Sequence, residues 1–80
     1  MRKTVHSKDY RALLQLLREA RKRAGLSQLD LARELGETQS FVSKLERGER
    51  RLDILELRAV CLALGVPFLG FVERLERVLS

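Results

Sequence analysis

Four polar side chains between positions 38 and 47, Gln39, Ser40, Ser43 and Lys44, have types and spacing suited to hydrogen-bond readout. On a helix they fall on one side. Gln39 carries an amide that donates and accepts at once, which matches N6 and N7 of adenine. Lys44, one turn after Ser40, can donate to O6 or N7 of guanine, whereas the two serines are shorter and discriminate less. A good bidentate contact of this kind contributes roughly 1–3 kcal/mol of discrimination between bases. On a helix alone the same four side chains read first as a solvated face; recognition is the chemistry they would do if that helix met base edges. Catalysis lacks its inventory here: the chain has no activated nucleophile, metal cluster or phosphate-cradling glycine loop.

The elements that must position these side chains are two short helices joined by a glycine turn over 28–47. Leu31, Ala32 and Leu35 fall at helical spacing, Gly36 breaks the chain, and Val42 and Leu45 resume the period. Ala32 is small enough to let the second helix cross close over the first. That combination is a helix-turn-helix, with its second helix expected over about 38–47. Ser27 with Asp30 predicts the start of one helix and Thr38 the start of the next, and Gly48 ends it. A preceding helix is predicted over about 9–24, with Tyr10, Leu13, Leu14, Leu17, Ala20 and Ala24 as its buried stripe and Gly25 as its stop. After a basic loop at 49–52, Asp53 and Glu56 make a capping pair for a fourth helix. Its inner stripe is Ile54, Leu57, Val60, Cys61 and Leu64, and Gly65 stops it. Pro67 then opens a fifth helix, where its missing N–H costs nothing.

Eighty residues allow one domain with one small core. The net charge of +5 is unevenly placed: Arg18, Arg21, Lys22 and Arg23 close the first helix, and Lys44, Arg47, Arg50 and Arg51 gather around Gly48. The single cysteine, Cys61, excludes an internal disulfide and sits among apolar residues at helical spacing, so it reads as core. His6 is the single histidine and has no second ligand or base beside it. No cofactor is implied. Residues 1–8 read as a flexible tail, in which Arg2 and Lys3 offer a minor-groove arm as the less favoured reading. There is no charged start followed by an apolar run, as in a signal peptide, and no stretch long enough to span a bilayer, so a cytoplasmic location without membrane attachment is expected.

Over 17–66 the chain resembles the Cro/C1-type, or XRE, helix-turn-helix family of phage repressors and bacterial regulators. The elements that carry the resemblance are GLSQ, LA, LG, S-x-VSKLE-x-G and ALGV, in the family's order and spacing. Glu37 departs from it, standing in the turn where such proteins often carry an apolar residue. The resemblance implies an all-α, five-helix, lambda-repressor-like DNA-binding domain over 9–80, with double-stranded DNA as partner. It also implies that the helix at 38–47 enters the major groove, its N-terminal outer residues meeting base edges first. Gln28 is expected at a phosphate, at a helix N-terminus that offers unpaired N–H groups, with its side chain also within reach of Gln39. Thr38, Arg47, Arg50 and Arg51 are expected on the backbone, where they position the protein without reading sequence; Lys22 and Arg23 are weaker candidates. The positions matching Arg21 and Glu46 form an ion pair in the resembling repressors, which implies a structural role for both.

Two features remain open. Phe41 either meets a thymine methyl or sugar edge or covers the loop at Arg51 and Leu52, and packing is the favoured reading. The fifth helix is apolar on more than one side: Phe68, Phe71, Val72, Leu75 and Leu79 form a stripe that Leu69 and Val78 broaden. A partner surface made of Leu62, Leu69, Phe71, Leu75 and Val78 is therefore expected, as a homodimer through the fourth and fifth helices, the alternative being that the last helix packs within the chain against the first. Two recognition helices related by a two-fold axis would read half-sites ~34 Å apart. The function expected is a sequence-specific transcriptional regulator, acting as a repressor or through polymerase. The alternative is an antitoxin-type protein that binds a toxin through its last helix.

Overall fold

A computed structural model describes residues 7–80; the expected tail lies outside it except for Ser7 and Lys8. Five helices follow in order: α1 (Lys8–Arg23), α2 (Gln28–Leu35), α3 (Gln39–Glu46), α4 (Ile54–Leu64) and α5 (Phe68–Leu79). Their ends are set locally. Ser7, Ser27, Thr38 and Asp53 each accept a backbone N–H three residues on, and Ser27–Asp30 and Asp53–Glu56 are reciprocal capping boxes. Gly36 and Gly65 close α2 and α4 at φ of 68° and 73°, a left-handed conformation that disfavours a side chain. α1 begins one residue earlier than periodicity predicts, because Ser7 supplies its cap.

One core joins all five helices. Leu17 and Ala20 of α1, Leu31 and Ala32 of α2, Val42 and Leu45 of α3, Val60 and Cys61 of α4 and Phe71 of α5 are buried together. Ala32 is wholly buried at the packing of α2 on α3, where a larger side chain would hold the helices apart. Burial in this apolar setting pushes the Cys61 thiol up to about 11, which leaves it protonated and unreactive at neutral pH. Among the described residues no single helix is long and apolar enough to cross a membrane.

Five residues depart from the predicted stripes: Leu16 is buried outside them, while Ala24, Ile54, Val72 and Leu79 belong to them and are exposed. Leu16 is buried where α5 lies against α1, whereas Ala24 is exposed at the end of α1. Ile54, the first residue of α4, is open to solvent. Phe71 is 6 % exposed and belongs to the core, so it is withdrawn from the expected partner surface. Leu75 is half-buried against the same core. Leu55, Leu62, Leu69 and Val78 remain exposed.

Tyr10 contributes more than packing. Its hydroxyl donates to the Arg50 carbonyl at 3.3 Å and accepts the Leu52 N–H at 3.2 Å, fastening the loop after α3 to the start of α1. Tyr10→Phe keeps the ring and removes both bonds. It should lower the unfolding free energy by roughly 1–2 kcal/mol, read by urea denaturation, since a typical net hydrogen bond contributes about 1 kcal/mol. A midpoint equal to that of the parent protein would show that the hydroxyl fastens nothing.

Candidate nucleic-acid interface

α3 presents its polar face outward because its apolar face is fixed in the core. Val42 and Leu45 are buried at helical spacing, and their burial turns Gln39, Ser40 and Lys44 to solvent. Ser43 is half-buried, and its hydroxyl accepts from Arg47. The Thr38 hydroxyl, exposed at the N-terminus of α3, accepts the Phe41 N–H at 3.1 Å.

The last residue of α3, Glu46, is buried, and its carboxylate is where three helices meet. Arg21 of α1 reaches it with two nitrogens, Nε at 2.6 Å and Nη2 at 3.0 Å, while its Nη1 donates to the Leu26 carbonyl. Gln28 at the start of α2 donates Nε2 to the same carboxylate at 3.0 Å. Arg18, a residue for which sequence reasoning gave no role here, donates to the Glu46 carbonyl at 3.0 Å. Burial pushes the Glu46 carboxyl up, but the hydrogen bonds from Arg21 and Gln28 and the charges of Arg21 and Arg18 outweigh it. The net result lies below the usual carboxylate range. Gln28 is thus turned to Glu46, and the reach toward Gln39 expected from sequence is not made.

The basic residues around Gly48 divide into engaged and open. Arg47 is paired with Glu49 at 2.7 Å on the exposed surface. Arg50 does not stand out as a free cation: both terminal nitrogens fork onto Glu56 at 3.2 and 2.7 Å, and the guanidinium lies 4.5 Å from the centre of the Phe41 ring. Phe41 itself is half-buried against the core beside Leu52. Arg51 is exposed, with no side-chain partner among the described residues. The signal for Arg50 was available as Glu56, six residues on, but only the path of the loop through 51–53 brings the two side chains together.

Comparison with known proteins agrees with this geometry. A helix-turn-helix family model matches residues 17–71, more than half of the chain. The chain belongs to the Cro/C1-type (XRE) helix-turn-helix family. Among solved structures, it is similar to an XRE-family like protein from Pseudomonas syringae pv. tomato str. DC3000, with 45% identity and a TM-score of 0.88 over 96% of this chain and 94% of that one. It is also similar to the wild-type restriction–modification controller protein C.Esp1396I, with 26% identity and a TM-score of 0.83 over 94% and 100% of the two chains. The clp gene regulator ClgR from C. glutamicum follows at 26% identity and a TM-score of 0.77, over 90% and 94%. Comparison with curated protein sequences gives no match. Family and fold together describe a DNA-binding transcription regulator.

In this XRE-family chain the Arg21–Glu46 pair has a measurable signature. Arg21→Met leaves a buried carboxylate short of its main partner and should cost about 3–5 kcal/mol. The pH dependence has a definite sign. Because the folded-state pKa of Glu46 is depressed, the stabilisation is complete above its ordinary value of 4.5 and is lost as pH falls through the folded value. Urea titrations at pH 7, 5 and 3 should therefore show parent and Glu46→Gln far apart at neutral pH and converging in acid. A pH-independent gap would mean that the carboxylate charge does not stabilise the fold.

Proposed function

We propose that this chain is a sequence-specific transcriptional regulator that binds an inverted-repeat operator as a homodimer, each α3 lying in a major groove. The observation that carries this reading is the exposed face of α3, with Gln39, Ser40 and Lys44 open to solvent on a helix locked at its far end through Glu46. A reading helix must be both accessible and immobile, since a bidentate base contact tolerates little rotation. Gln39 reads adenine and Lys44 reads guanine, with Ser40 and Ser43 as adaptable neighbours. Thr38, Arg47 and Arg51 hold the backbone, as does the N-terminus of α2 at Gln28. Arg50 joins them only by giving up Glu56. C.Esp1396I has been solved as a tetramer in complex with its natural 35-base-pair operator, at 26% identity and a TM-score of 0.81 to this chain, which supports an operator-bound oligomer here. Control follows from occupancy: a dimer seated across a promoter excludes polymerase. Action on DNA places the protein in the cytoplasm, at the nucleoid.

The partner surface is Leu55, Leu62, Leu69 and Val78 on α4 and α5, all exposed in the single chain. Leu62→Glu with Leu69→Glu changes no core residue. The pair should give a folded monomer in sedimentation and weaken operator binding at least ~10-fold, since a monomer contacts one half-site. A dimer that survives both substitutions would move the interface elsewhere.

Selection of bound sequences from a random duplex pool at near-physiological salt tests the main reading. A two-fold symmetric motif is expected. Gln39→Ala should then weaken the selected site by roughly 1–3 kcal/mol while leaving random DNA nearly unaffected. A featureless pool from a protein that binds duplex would overturn sequence reading and favour a protein partner for the apolar surface, as in the antitoxin alternative.

A further inference from the structure

A groove runs between α1 and the C-terminal end of α3, with Arg11, Gln15 and Arg18 on one wall, Arg47 and Glu49 on the other, and Glu46 at its base. Arg11 and Arg18 are seven residues apart, two turns of helix, so both project from the same side of α1. Their charges are poorly compensated. Arg11 makes no ion pair among the described residues, and its side chain is exposed. Arg18 lies 3.7 Å from Glu46, but that carboxylate is already held by Arg21 at 2.6 Å, and the Arg18 side chain remains 45% exposed. Gln15, between them, donates to Glu19 at 3.3 Å, which leaves its carbonyl oxygen free. The acidic residue on the opposite wall, Glu49, is engaged by Arg47. The groove therefore carries excess positive charge, and it opens beside the C-terminal end of α3, less than a turn from Lys44 and about two turns from Gln39 on the same helix.

We propose that this groove is a phosphate-backbone site, in which Arg11 and Arg18 neutralise phosphodiesters of the same duplex whose bases α3 reads. The inference rests on that reading and extends the DNA-facing surface from the helix-turn-helix onto α1. The geometry favours it in two ways. Arg18 is anchored by its bond to the Glu46 carbonyl, so its guanidinium keeps a fixed position relative to α3. The start of α1 is fastened to the loop after α3 by Tyr10, so Arg11 does not drift from the surface that α3 presents. Phosphate contacts of this kind set register and attraction without carrying base information.

The test is the salt dependence of duplex binding, measured by fluorescence anisotropy on a selected-motif duplex and on a random one. Each phosphate that is no longer neutralised flattens the slope of log K against log salt by about 0.9 per bound protomer. Arg11→Gln removes no folded-state partner, so it should flatten the slope by that amount on both duplexes and leave the selected motif unchanged. Arg18→Gln should do the same with a lowered melting temperature, and Arg18→Lys, which keeps the charge, should restore the slope. If the parent protein binds with a steep slope that Arg11→Gln and Arg18→Gln both leave unchanged, the groove is not a phosphate site and the reading of α3 stands. A parent protein that binds no duplex at any salt overturns both.

Discussion

The Glu46 carboxylate is the constraint on which the arrangement of the first three helices depends. It closes α3, takes a two-pronged arginine from α1 and an amide from α2, and lies almost wholly out of water. Apolar packing alone would hold these helices together without fixing their angles, because ridges and grooves tolerate scatter of about 15–20°. Hydrogen bonds to a carboxylate tolerate far less. The desolvation of a buried charge makes the cluster a poor source of net stability compared with an apolar replacement. Its contribution is orientation, and orientation is what a helix needs if its outer side chains are to meet a rigid lattice of base edges.

A second fastening acts on the loop that follows α3. The loop after α3 is held by the Tyr10 hydroxyl and by the Arg50–Glu56 fork, with Arg50 lying over the Phe41 ring. Glu56 serves twice, since it also completes the capping box of α4. Phe41 is drawn into this cluster and away from a solvent-facing role. The loop is thereby tied down where a generic basic loop would be mobile, and one positive charge that composition counts as available is neutralised.

What could be read from residue types is what short-range chemistry decides. The caps at Ser27, Thr38 and Asp53 and the stops at Gly36 and Gly65 depend on residues within one turn, and each lies where the residue types place it. Burial on α1 and α5 was harder to read because a stripe does not say which neighbour covers it. Leu16 is buried only because α5 returns against α1, and Phe71 is core for the same reason. The difference between Arg50 and Arg51 is equally non-local: adjacent, chemically identical residues, one forked onto Glu56 and one open. Gln28 illustrates the limit from the other side. Its position at a helix start was legible, but its side-chain partner was set by the crossing of α2 and α3.

The free charges matter more than the net +5. Several cations that composition would assign to a nucleic-acid face are paired within the protein, at Glu46, Glu49 and Glu56. The exposed pair at Glu49 is easily exchanged, because two solvated ions gain at most about 1 kcal/mol from each other. The Glu46 pair is not, since separation would leave a buried carboxylate alone. Under the proposed function an incoming phosphate would meet these cations in graded order: Arg51 and Arg11 first, Arg47 by exchange, Arg50 with more difficulty and Arg21 never. That ordering also bears on symmetry. In the proposed dimer each protomer carries one α3, so the separation of the two reading helices is a property of the surface at which the copies meet. With each α3 locked to its own protomer through Glu46, the spacing between two half-sites would then be fixed by the protein interface and not by adjustment at the DNA.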